Sequence, residues 1–407
     1  MKPLHDVRVV DLSRVLAGPW SSQILADLGA DVIKVERRGE GDDTRAWGPP
    51  FVPAAGGENL DATYFHSTNR GKRSVAVDFN SADDRELVLS LIAEADIVIE
   101  NFKVGALKKY GLDYASLSAS HPGLIYCSIT GFGQTGPYAH RPGYDAMIQA
   151  LGGMMSITGE ANGEPMKVGV AVVDLFTGVY ATTGILAALH QRQATGRGAH
   201  IDMSLLDVQV GVLANQAASY LISGQAAPRL GNAHPNLAPY QVFAVADGHL
   251  MIAVGNDGQF VRLCEVLGVQ HLAADALYRT NPDRVRNRQR LIPLLSEQIA
   301  RWKKSDLFAR LEAANVPAGP INTVPEVFAD PHVIARGMRV DIDSPAAAGG
   351  RVPAVRTPIM IDGEPCVSER PAPRLGEHTD EIKQSLEAPA DLSVERKRAR
   401  LRFSAGG

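Results

Sequence analysis

The first 130 residues impose the strongest constraint on the fold, because short apolar runs alternate there with amphipathic helical patterns. The helical patterns include residues 19–28 and 84–93, and the strand-like runs are residues 7–12, 31–36, 74–78, 97–100 and 124–129. Repeated β-α-β units of this kind build an open parallel sheet with helices on both faces. We therefore expect an α/β fold whose ligands bind beyond the carboxyl ends of the strands.

The chain divides further along at residues 223–239, a segment rich in glycine, proline and asparagine that is typical of a linker. We predict a large domain over 1–222, this linker, a small α+β domain over 240–320, and a return segment over 321–407 that completes the large domain. A chain of 407 residues exceeds the size at which a single core stops growing, which favours two domains.

Charge and cysteine content argue against several classes of function. The net charge is −4 and the basic residues are spread along the chain, so nothing indicates a nucleic-acid surface. The three cysteines lie far apart without the spacing of a zinc site, so we expect structural thiols and no metal. The N-terminus lacks the apolar core of a signal peptide, so we expect a cytoplasmic protein.

Asp174 is the only charged residue within an apolar stretch, residues 168–189. The stretch is long enough to span a bilayer, but its glycines, threonines and single carboxylate favour a protein core over a membrane. Within it we predict extended backbone over residues 169–173 and a helix from about Leu175 to Gln193. Burial disfavours a charged carboxylate, so a chain that keeps one there usually has a use for it. Two interpretations remain open at this point: a helix cap or satisfied core aspartate, and a catalytic nucleophile.

The segment from Gly131 to Gly136 matches the pattern G-x-G-x-x-G of dinucleotide-binding turns. Pro137 follows it at once, and no helix can begin before about Tyr144, so no helix N-terminus is available to hold a pyrophosphate. The pattern therefore favours a loop of closely packed backbone in an active site over an NAD site.

Basic residues occur in pairs near the predicted strand ends, and the pairs are Arg37 with Arg38, Lys72 with Arg73, and Lys108 with Lys109. Adjacent ends of parallel strands converge, so three such pairs favour a phosphorylated ligand, although solvated surface charge explains any one pair equally well. The chain lacks the motifs of zinc proteases, serine hydrolases and P-loop enzymes. An aspartate nucleophile is therefore the most economical catalytic candidate.

Further motifs are spread over nearly the whole chain: Leu16-Ala-Gly-Pro19, residues 28–37, 41–45 and 69–74, Glu100-Asn-Phe102, and residues 128–137 and 375–380. Together they resemble class III CoA-transferases, the formyl-CoA transferase or CaiB/BaiF family. The resemblance implies an interlocked homodimer with a Rossmann-like, CoA-binding large domain built from both chain ends and a small domain between them. It also implies acyl-CoA and carboxylic acids as substrates, with no permanently bound cofactor.

The resemblance also implies roles for individual positions. Asp174 would be the nucleophile that attacks the acyl-CoA thioester. The implied CoA contacts are Arg37 and Lys109 on phosphates, Asn101 and Phe102 on the pantetheine, Met203 against the CoA, and Lys72 as a further phosphate candidate. The expected contacts of the acyl substrate are Leu16, Arg45 and Tyr144.

Three departures from related enzymes bear on the substrate. Leu16 stands where formyl-CoA transferases carry a glutamine that helps bind the acyl group, and their tetraglycine loop has no counterpart here, which disfavours formyl and oxalyl substrates. Tyr144 stands where α-methylacyl-CoA racemases carry a histidine, and a tyrosine of pKa about 10 exchanges protons poorly at neutral pH. A transferase is therefore favoured over a racemase, and a CoA-binding protein without catalysis is a third alternative.

Within the family, residues 41–51, 126–131 and 141–145 look most similar to succinate-hydroxymethylglutarate CoA-transferases, which move CoA between dicarboxylic acids. The expected mechanism is a double acyl transfer through an aspartyl anhydride and an aspartyl-CoA thioester. The second carboxylate of such a substrate needs a cation, and three arginines without another assigned role are candidates: Arg45, Arg70 and Arg141.

Overall fold

The computed structural model describes residues 2–387, which form fifteen strands and seventeen helices. The strands are β1 (Arg8–Asp11), β2 (Asp31–Arg37), β3 (Phe51–Pro53), β4 (Asn59–Ala62), β5 (Lys72–Val77), β6 (Ile97–Glu100), β7 (Ile125–Thr130), β8 (His200–Ser204), β9 (Tyr240–Val245), β10 (Gly248–Ala253), β11 (Ala318–Pro320), β12 (Arg339–Asp343), β13 (Arg351–Val355), β14 (Met360–Ile361) and β15 (Glu364–Pro365). The helices are α1 (Ala17–Asp27), α2 (Thr63–Thr68), α3 (Ala82–Ala93), α4 (Tyr114–Leu117), α5 (Asp145–Leu151), α6 (Met154–Ile157), α7 (Val172–Thr195), α8 (Leu205–Val212), α9 (Ala214–Ser223), α10 (Asp257–Leu267), α11 (Gln270–Ala274), α12 (Asn281–Arg286), α13 (Arg288–Ile299), α14 (Lys304–Ala313), α15 (Val324–Ala329), α16 (Pro331–Ala335) and α17 (Thr379–Glu387).

Six strands form one parallel sheet in the order β5-β2-β1-β6-β7-β8. Numbered by their order along the chain, these strands have the 3-2-1-4-5-6 arrangement of doubly wound dinucleotide-binding folds. The order reverses between β1 and β6, so the segments that follow these two strands diverge and leave a crevice at the carboxyl edge. The predicted α/β fold with an open parallel sheet is confirmed, and the crevice is where a ligand is expected.

The two faces of this sheet bury separate apolar clusters, because successive side chains of a strand point to opposite faces. Val9 of β1 packs with residues of α1 and α7 on one face, whereas Val10 packs with residues of α3 on the other. Ile382 of α17 belongs to the second cluster and is fully buried. The described end of the chain therefore packs onto the same sheet as its beginning.

The described residues divide into two compact units. The first comprises residues up to Gly153, Val168–Ala217 and the residues from Ile334 onward, and the second comprises Met154–Lys167 and Ala218–Val333. The second unit contains the antiparallel sheet β11-β10-β9, whose apolar cluster includes residues of α10, α13 and α14. The boundaries predicted at 222, 239 and 320 stay a prediction, and residues 388–407 of the return segment lie outside the described residues.

Helices α1 and α7 approach each other closely, and Gly178 makes this possible. A Cβ placed on Gly178 would lie 2.7 Å from the carbonyl oxygen of Ala17, which is closer than real Cβ atoms come. One turn later, Oγ1 of Thr182 lies 3.0 Å from Oγ of Ser21. Ala17 is therefore held against α7 one turn beyond Asp174.

Among the described residues, α7 is the one helix that is long and apolar enough to cross a membrane. Only length and composition give this result, and the core helix of a soluble protein passes the same test. Val173, Ala181 and Ile185 of α7 are fully buried in the first apolar cluster of the sheet.

Candidate active site

Asp174 lies in the first turn of α7, which begins at Val172. Oδ1 of Asp145 accepts the backbone N–H groups of Val173 at 2.8 Å and of Asp174 at 3.3 Å. The sequence predicted extended backbone up to Val173 and a helix from Leu175, and this start was wrong. The carboxylate that caps α7 comes from a distant part of the chain, so no local pattern marks the first turn.

Gln149, one turn after Asp145 in α5, holds the capping carboxylate in place. The Gln149 amide nitrogen donates to Oδ2 of Asp145 at 2.7 Å, and its amide oxygen accepts the N–H of Val168 at 2.9 Å. Gln149 is fully buried, so these hydrogen bonds do not compete with solvent. Both oxygens of Asp145 therefore have fixed partners.

The carboxyl group of Asp174 is harder to ionise than that of an ordinary aspartate. Burial is the larger cause and the negative charge of Asp145 the smaller one, and together they raise the pKa of Asp174 to about 7. The first-turn position acts in the opposite direction, because the N-terminal end of a helix favours a negative charge. A perturbed carboxyl group in a cleft is a typical feature of a catalytic site.

Asp174 opens into a cavity of about 350 Å³, hereafter the smaller cavity. Its wall consists mainly of residues 14–17 after β1, 101–104 after β6, 129–131 at the end of β7, and the loop 139–144. These segments follow strands on both sides of the point where the strand order reverses, which is the expected place for a ligand. The cavity brings together five of the predicted site residues: Leu16, Asn101, Phe102, Tyr144 and Asp174.

A second cavity of about 790 Å³, hereafter the larger cavity, adjoins the first, because Arg14 and Phe102 line both. Arg37, the last residue of β2, lines the larger cavity, and its exposed side chain pairs with Glu40 at 2.9 Å. Lys109 places its ammonium 4.6 Å from the ring centroid of Tyr110, another lining residue. Two of the predicted phosphate contacts therefore lie in or beside this cavity.

The wall between the two cavities is held together by hydrogen bonds between the loops after β1 and β6. The Asn101 side chain accepts the N–H of Arg14 at 3.0 Å and donates to the Arg14 carbonyl at 2.7 Å. The Phe102 N–H donates to Oε2 of Glu100 at 2.8 Å. Arg14 was missed from the sequence, although the strand-end rule that selected Arg37 applies equally to a cation just after β1.

Lys72 lines neither cavity, which corrects its prediction as a phosphate contact. It begins β5, whereas Arg37 ends β2, so these cations lie at opposite edges of the parallel sheet. The Lys72 ammonium is fully buried and donates to Oδ2 of Asp11 at 3.1 Å and to Oδ1 of Asn69 at 2.8 Å. Burial lowers the pKa of Lys72 to about 8, with Asp11 opposing the shift. Its role is therefore to neutralise a buried carboxylate.

Arg45 is also buried, which corrects its prediction as a substrate contact. Its Nε and Nη2 donate to the two carboxylate oxygens of Glu36 at 2.8 and 2.6 Å, and its guanidinium lies 3.7 Å from the ring centroid of Phe65. Arg70 is buried in the same way, with donors to both oxygens of Asp27 at 3.1 and 2.5 Å. Of the three arginines considered for a second carboxylate, only Arg141 lines either of these two cavities.

The loop after β7 packs backbone against backbone. A Cβ placed on Gly131 would lie 2.6 Å from Cα of Gly143, so neither position tolerates a side chain without movement. The next helix along this loop is α5, which begins at Asp145, so no helix N-terminus follows the glycine motif directly. Met203, in β8, is partly buried against the core and lines neither cavity, and its contact with CoA stays a prediction.

Within residues 2–387, no group of three or more histidine, cysteine, aspartate or glutamate side chains is arranged to hold a metal ion. The three cysteines are buried and unpaired.

Comparison with known proteins points to one family. The model of CoA-transferase family III matches residues 4–379. A succinate-glutarate CoA-transferase of Agrobacterium fabrum is 56% identical over 385 residues, which cover 95% of this chain and 96% of the relative. The succinyl-CoA:glutarate CoA-transferase of Mus musculus is 44% identical and covers 95% of this chain and 87% of its own.

A solved structure agrees with these matches. The crystal structure of a CaiB/BaiF family protein from Brucella suis is 55% identical, covers 95% of this chain and 99% of its own, and superposes with a TM-score of 0.84. The resemblance noted in the sequence is confirmed, and so is the enzyme class that it implied. The chain belongs to CoA-transferase family III.

Proposed function

We propose that this CoA-transferase moves CoA from a dicarboxylyl-CoA, such as succinyl-CoA, to a carboxylic acid, with Asp174 as the covalent carrier. The observation that carries the proposal is the position of Asp174: it is the only acidic side chain among the residues that line the smaller cavity. The relatives support dicarboxylic acids as the substrate class, since their names specify succinate or succinyl-CoA and glutarate.

The proposed reaction has four steps, and its atoms and charges balance. The Asp174 carboxylate attacks the thioester carbonyl carbon, the C–S bond breaks, and an aspartyl anhydride and CoA thiolate form. The thiolate attacks the aspartyl carbonyl of the anhydride, which releases the donor acid as a carboxylate and leaves an aspartyl-CoA thioester. The acceptor carboxylate attacks that thioester and regenerates thiolate and an anhydride, and the thiolate then attacks the acceptor's acyl carbon and frees Asp174.

The surroundings of Asp174 suit each requirement of this sequence. Its raised pKa makes the ionised carboxylate more basic, and at pH 7 about half of the enzyme still carries it in the reactive form. Leu16 gives the cavity an apolar wall, which helps to keep water from the anhydride and the thiolate. Gly131 lines the same cavity, and backbone N–H groups of its loop are candidates to stabilise the oxyanions.

CoA would occupy both cavities. In the proposal the nucleotide part fills the larger cavity, with Arg37 and Lys109 near its phosphates, because cations that follow strands of the sheet at its carboxyl edge suit phosphate groups. The pantetheine then passes the wall formed by Asn101 and Phe102, and the thioester reaches Asp174 in the smaller cavity. Met203 remains part of the proposal as a further CoA contact.

We also propose that the protein acts in the cytoplasm as an interlocked homodimer. The proposal is supported by large apolar side chains that helix α7 and the segments near it in sequence leave exposed, since exposed apolar surface can mark an interface. These side chains are Met147, Leu151, Val170, Phe176, Val179 and Tyr180. Sedimentation equilibrium would give twice the mass of one chain, and a monomer at micromolar concentration would contradict the dimer.

Covalent trapping tests the central step. The enzyme is incubated with succinyl-CoA, quenched with hydroxylamine, and digested for mass spectrometry, and the peptide containing Asp174 should carry a hydroxamate. Asp174→Asn should still bind CoA but form no adduct and transfer nothing. An active wild-type preparation whose Asp174 stays unmodified would exclude the covalent route, and transfer by Asp174→Asn would exclude Asp174 as the nucleophile.

A further inference from the structure

Arg141 lines the smaller cavity, and its guanidinium is stacked on an aromatic ring. The guanidinium carbon lies 3.8 Å from the ring centroid of Tyr138, and the backbone N–H of Arg141 donates to the Tyr138 carbonyl at 2.9 Å. Phe132 meets the Tyr138 ring edge-on, with centroids 5.7 Å apart. Stacking engages the flat face of a guanidinium and leaves its edge of N–H donors free for a carboxylate.

Within residues 2–387, the N–H edge of Arg141 has no carboxylate partner. Among the residues that the structure describes, no acidic side chain lies within ion-pair distance of Arg141, whereas the other arginine of the cavity, Arg14, pairs with Asp43 at 2.8 Å. Arg45 and Arg70 are buried in ion pairs of their own. Arg141 is thus the arginine of the smaller cavity that is exposed and has no acidic partner within residues 2–387.

The balance of charge in the smaller cavity suits an anion larger than a single carboxylate. Its lining includes the cations Arg14, Lys103 and Arg141 and the single carboxylate of Asp174. A four- or five-carbon diacid places its two carboxyl carbons roughly 4 to 5 Å apart, given C–C bonds of about 1.5 Å. A cavity of about 350 Å³ that both Asp174 and Arg141 line has room for such a diacid.

We infer that Arg141, stacked on Tyr138, binds the distal carboxylate of the acid and sets the preference for dicarboxylic over monocarboxylic acids. The inference rests on the proposed CoA transfer at Asp174 and adds to it the residue that selects the substrate class. A planar guanidinium can form a bidentate pair with the second carboxylate of a dicarboxylic acid and so stabilise its binding. An acid that ends in a methyl group cannot form this pair.

The test compares two acceptors that differ only in the distal group: glutarate and pentanoate, both with succinyl-CoA as donor. The ratio of their kcat/KM values cancels the donor half-reaction. Arg141→Gln should lower kcat/KM for glutarate roughly 10- to 100-fold, mainly through KM, because a hydrogen-bonded charge pair is lost. The value for pentanoate should be nearly unchanged, and Arg141→Lys should restore part of the preference.

Two variants serve as matched controls. Lys103→Gln removes the same charge from the same cavity and should leave the ratio of glutarate to pentanoate close to that of the wild type. Arg339→Gln removes an arginine that pairs with Asp341 and lines neither cavity, and should leave both activities unchanged.

The outcomes separate this inference from the function on which it rests. Equal losses for glutarate and pentanoate in Arg141→Gln, or an equal change of preference in Lys103→Gln, would overturn the role of Arg141 while CoA transfer stands. A wild-type enzyme that forms the Asp174 adduct but uses both acids equally would also overturn it. Absence of both adduct and transfer in the wild type would overturn the proposed function itself.

Discussion

Replacing Asp174 with asparagine is expected to abolish transfer and at the same time to stabilise the protein at neutral and alkaline pH. The pKa of Asp174 rises from 3.8 to about 7 on folding, so the folded state holds the proton more tightly than the unfolded chain does. Below the pKa of the unfolded state, such a carboxyl group does not change the free energy of unfolding. As the pH rises from that pKa to the pKa of the folded state, it lowers the free energy of unfolding progressively. Above the pKa of the folded state, the loss of stability is constant.

The size of this cost follows from the shift. Three pKa units at about 1.4 kcal/mol each give an upper limit of about 4 kcal/mol. Asp174 is only partly buried, and the first turn of α7 favours its charge by up to about 1 kcal/mol, so about half of the limit, roughly 2 kcal/mol, is the expected value above pH 7. At pH 5 less than half of this loss of stability should remain, because pH 5 lies between the pKa values of Asp174 in the unfolded and folded states.

Thermal unfolding of wild type and Asp174→Asn at pH 5 and pH 8 measures this difference. The variant should melt roughly 2–4 °C higher at pH 8, and the gain should shrink at pH 5. The pH profile of kcat/KM supplies a second readout, since the activity of the wild type should fall below about pH 7 as Asp174 is protonated. A variant that is no more stable than the wild type at pH 8 would refute the argument that Asp174 is held in an unfavourable charged state.

Asp145→Asn tests the pKa of the Asp174 carboxyl group without changing Asp174 itself. Asparagine keeps an oxygen that can accept the N–H groups of Val173 and Asp174, but it removes the neighbouring negative charge. The pKa of Asp174 should therefore fall, and the acid limb of the pH profile should move to lower pH. An unchanged acid limb in a folded variant would show that Asp145 does not influence the ionisation of Asp174.

Two further comparisons test the packing and the corrected assignments. Gly178→Ala should destabilise the protein by about 1–3 kcal/mol and lower kcat, because the new Cβ pushes Ala17 away from α7. Gly184→Ala in the same helix makes only ordinary contacts and should stabilise the protein slightly. Equal melting temperatures for the two variants would argue against the close approach of α1 and α7. Lys72→Met should lower the free energy of unfolding by about 3 kcal/mol without a specific effect on the KM for acyl-CoA. Arg37→Gln should raise the KM for acyl-CoA with little change in the free energy of unfolding. The reverse pattern would support Lys72 as a contact of CoA.

The sequence predicted five of the six strands of the parallel sheet from their apolar runs, since buried parallel strands tolerate little else. The sixth strand, β8, alternates polar and apolar residues and is not such a run. The sequence also predicted five residues of the smaller cavity, Asp174 among them, since the resemblance extends over nearly the whole chain. The predicted ligand contacts of Lys72 and Arg45 were wrong. The spacing of cations along a chain does not reveal at which end of a strand they lie or which carboxylates pair with them.

The start of α7 shows the same limit. Asp145 caps this helix from a different segment, and only the folded backbone brings the two together. The separation of Arg141 from the other arginines likewise required the structure, because free and ion-paired guanidinium groups look identical in a sequence.

Arg14 and Phe102 border both cavities, and Asn101 ties the two loops that carry them. In the proposed arrangement, a nucleotide in the larger cavity contacts residues that also border the space in which the thioester reacts. Binding energy from a part of CoA that undergoes no chemistry then serves to orient the reacting carbonyl. A pantetheine thioester that lacks the nucleotide should lose turnover as well as affinity. Exchange between acids of a few carbon atoms would thus depend on a carrier many times their size.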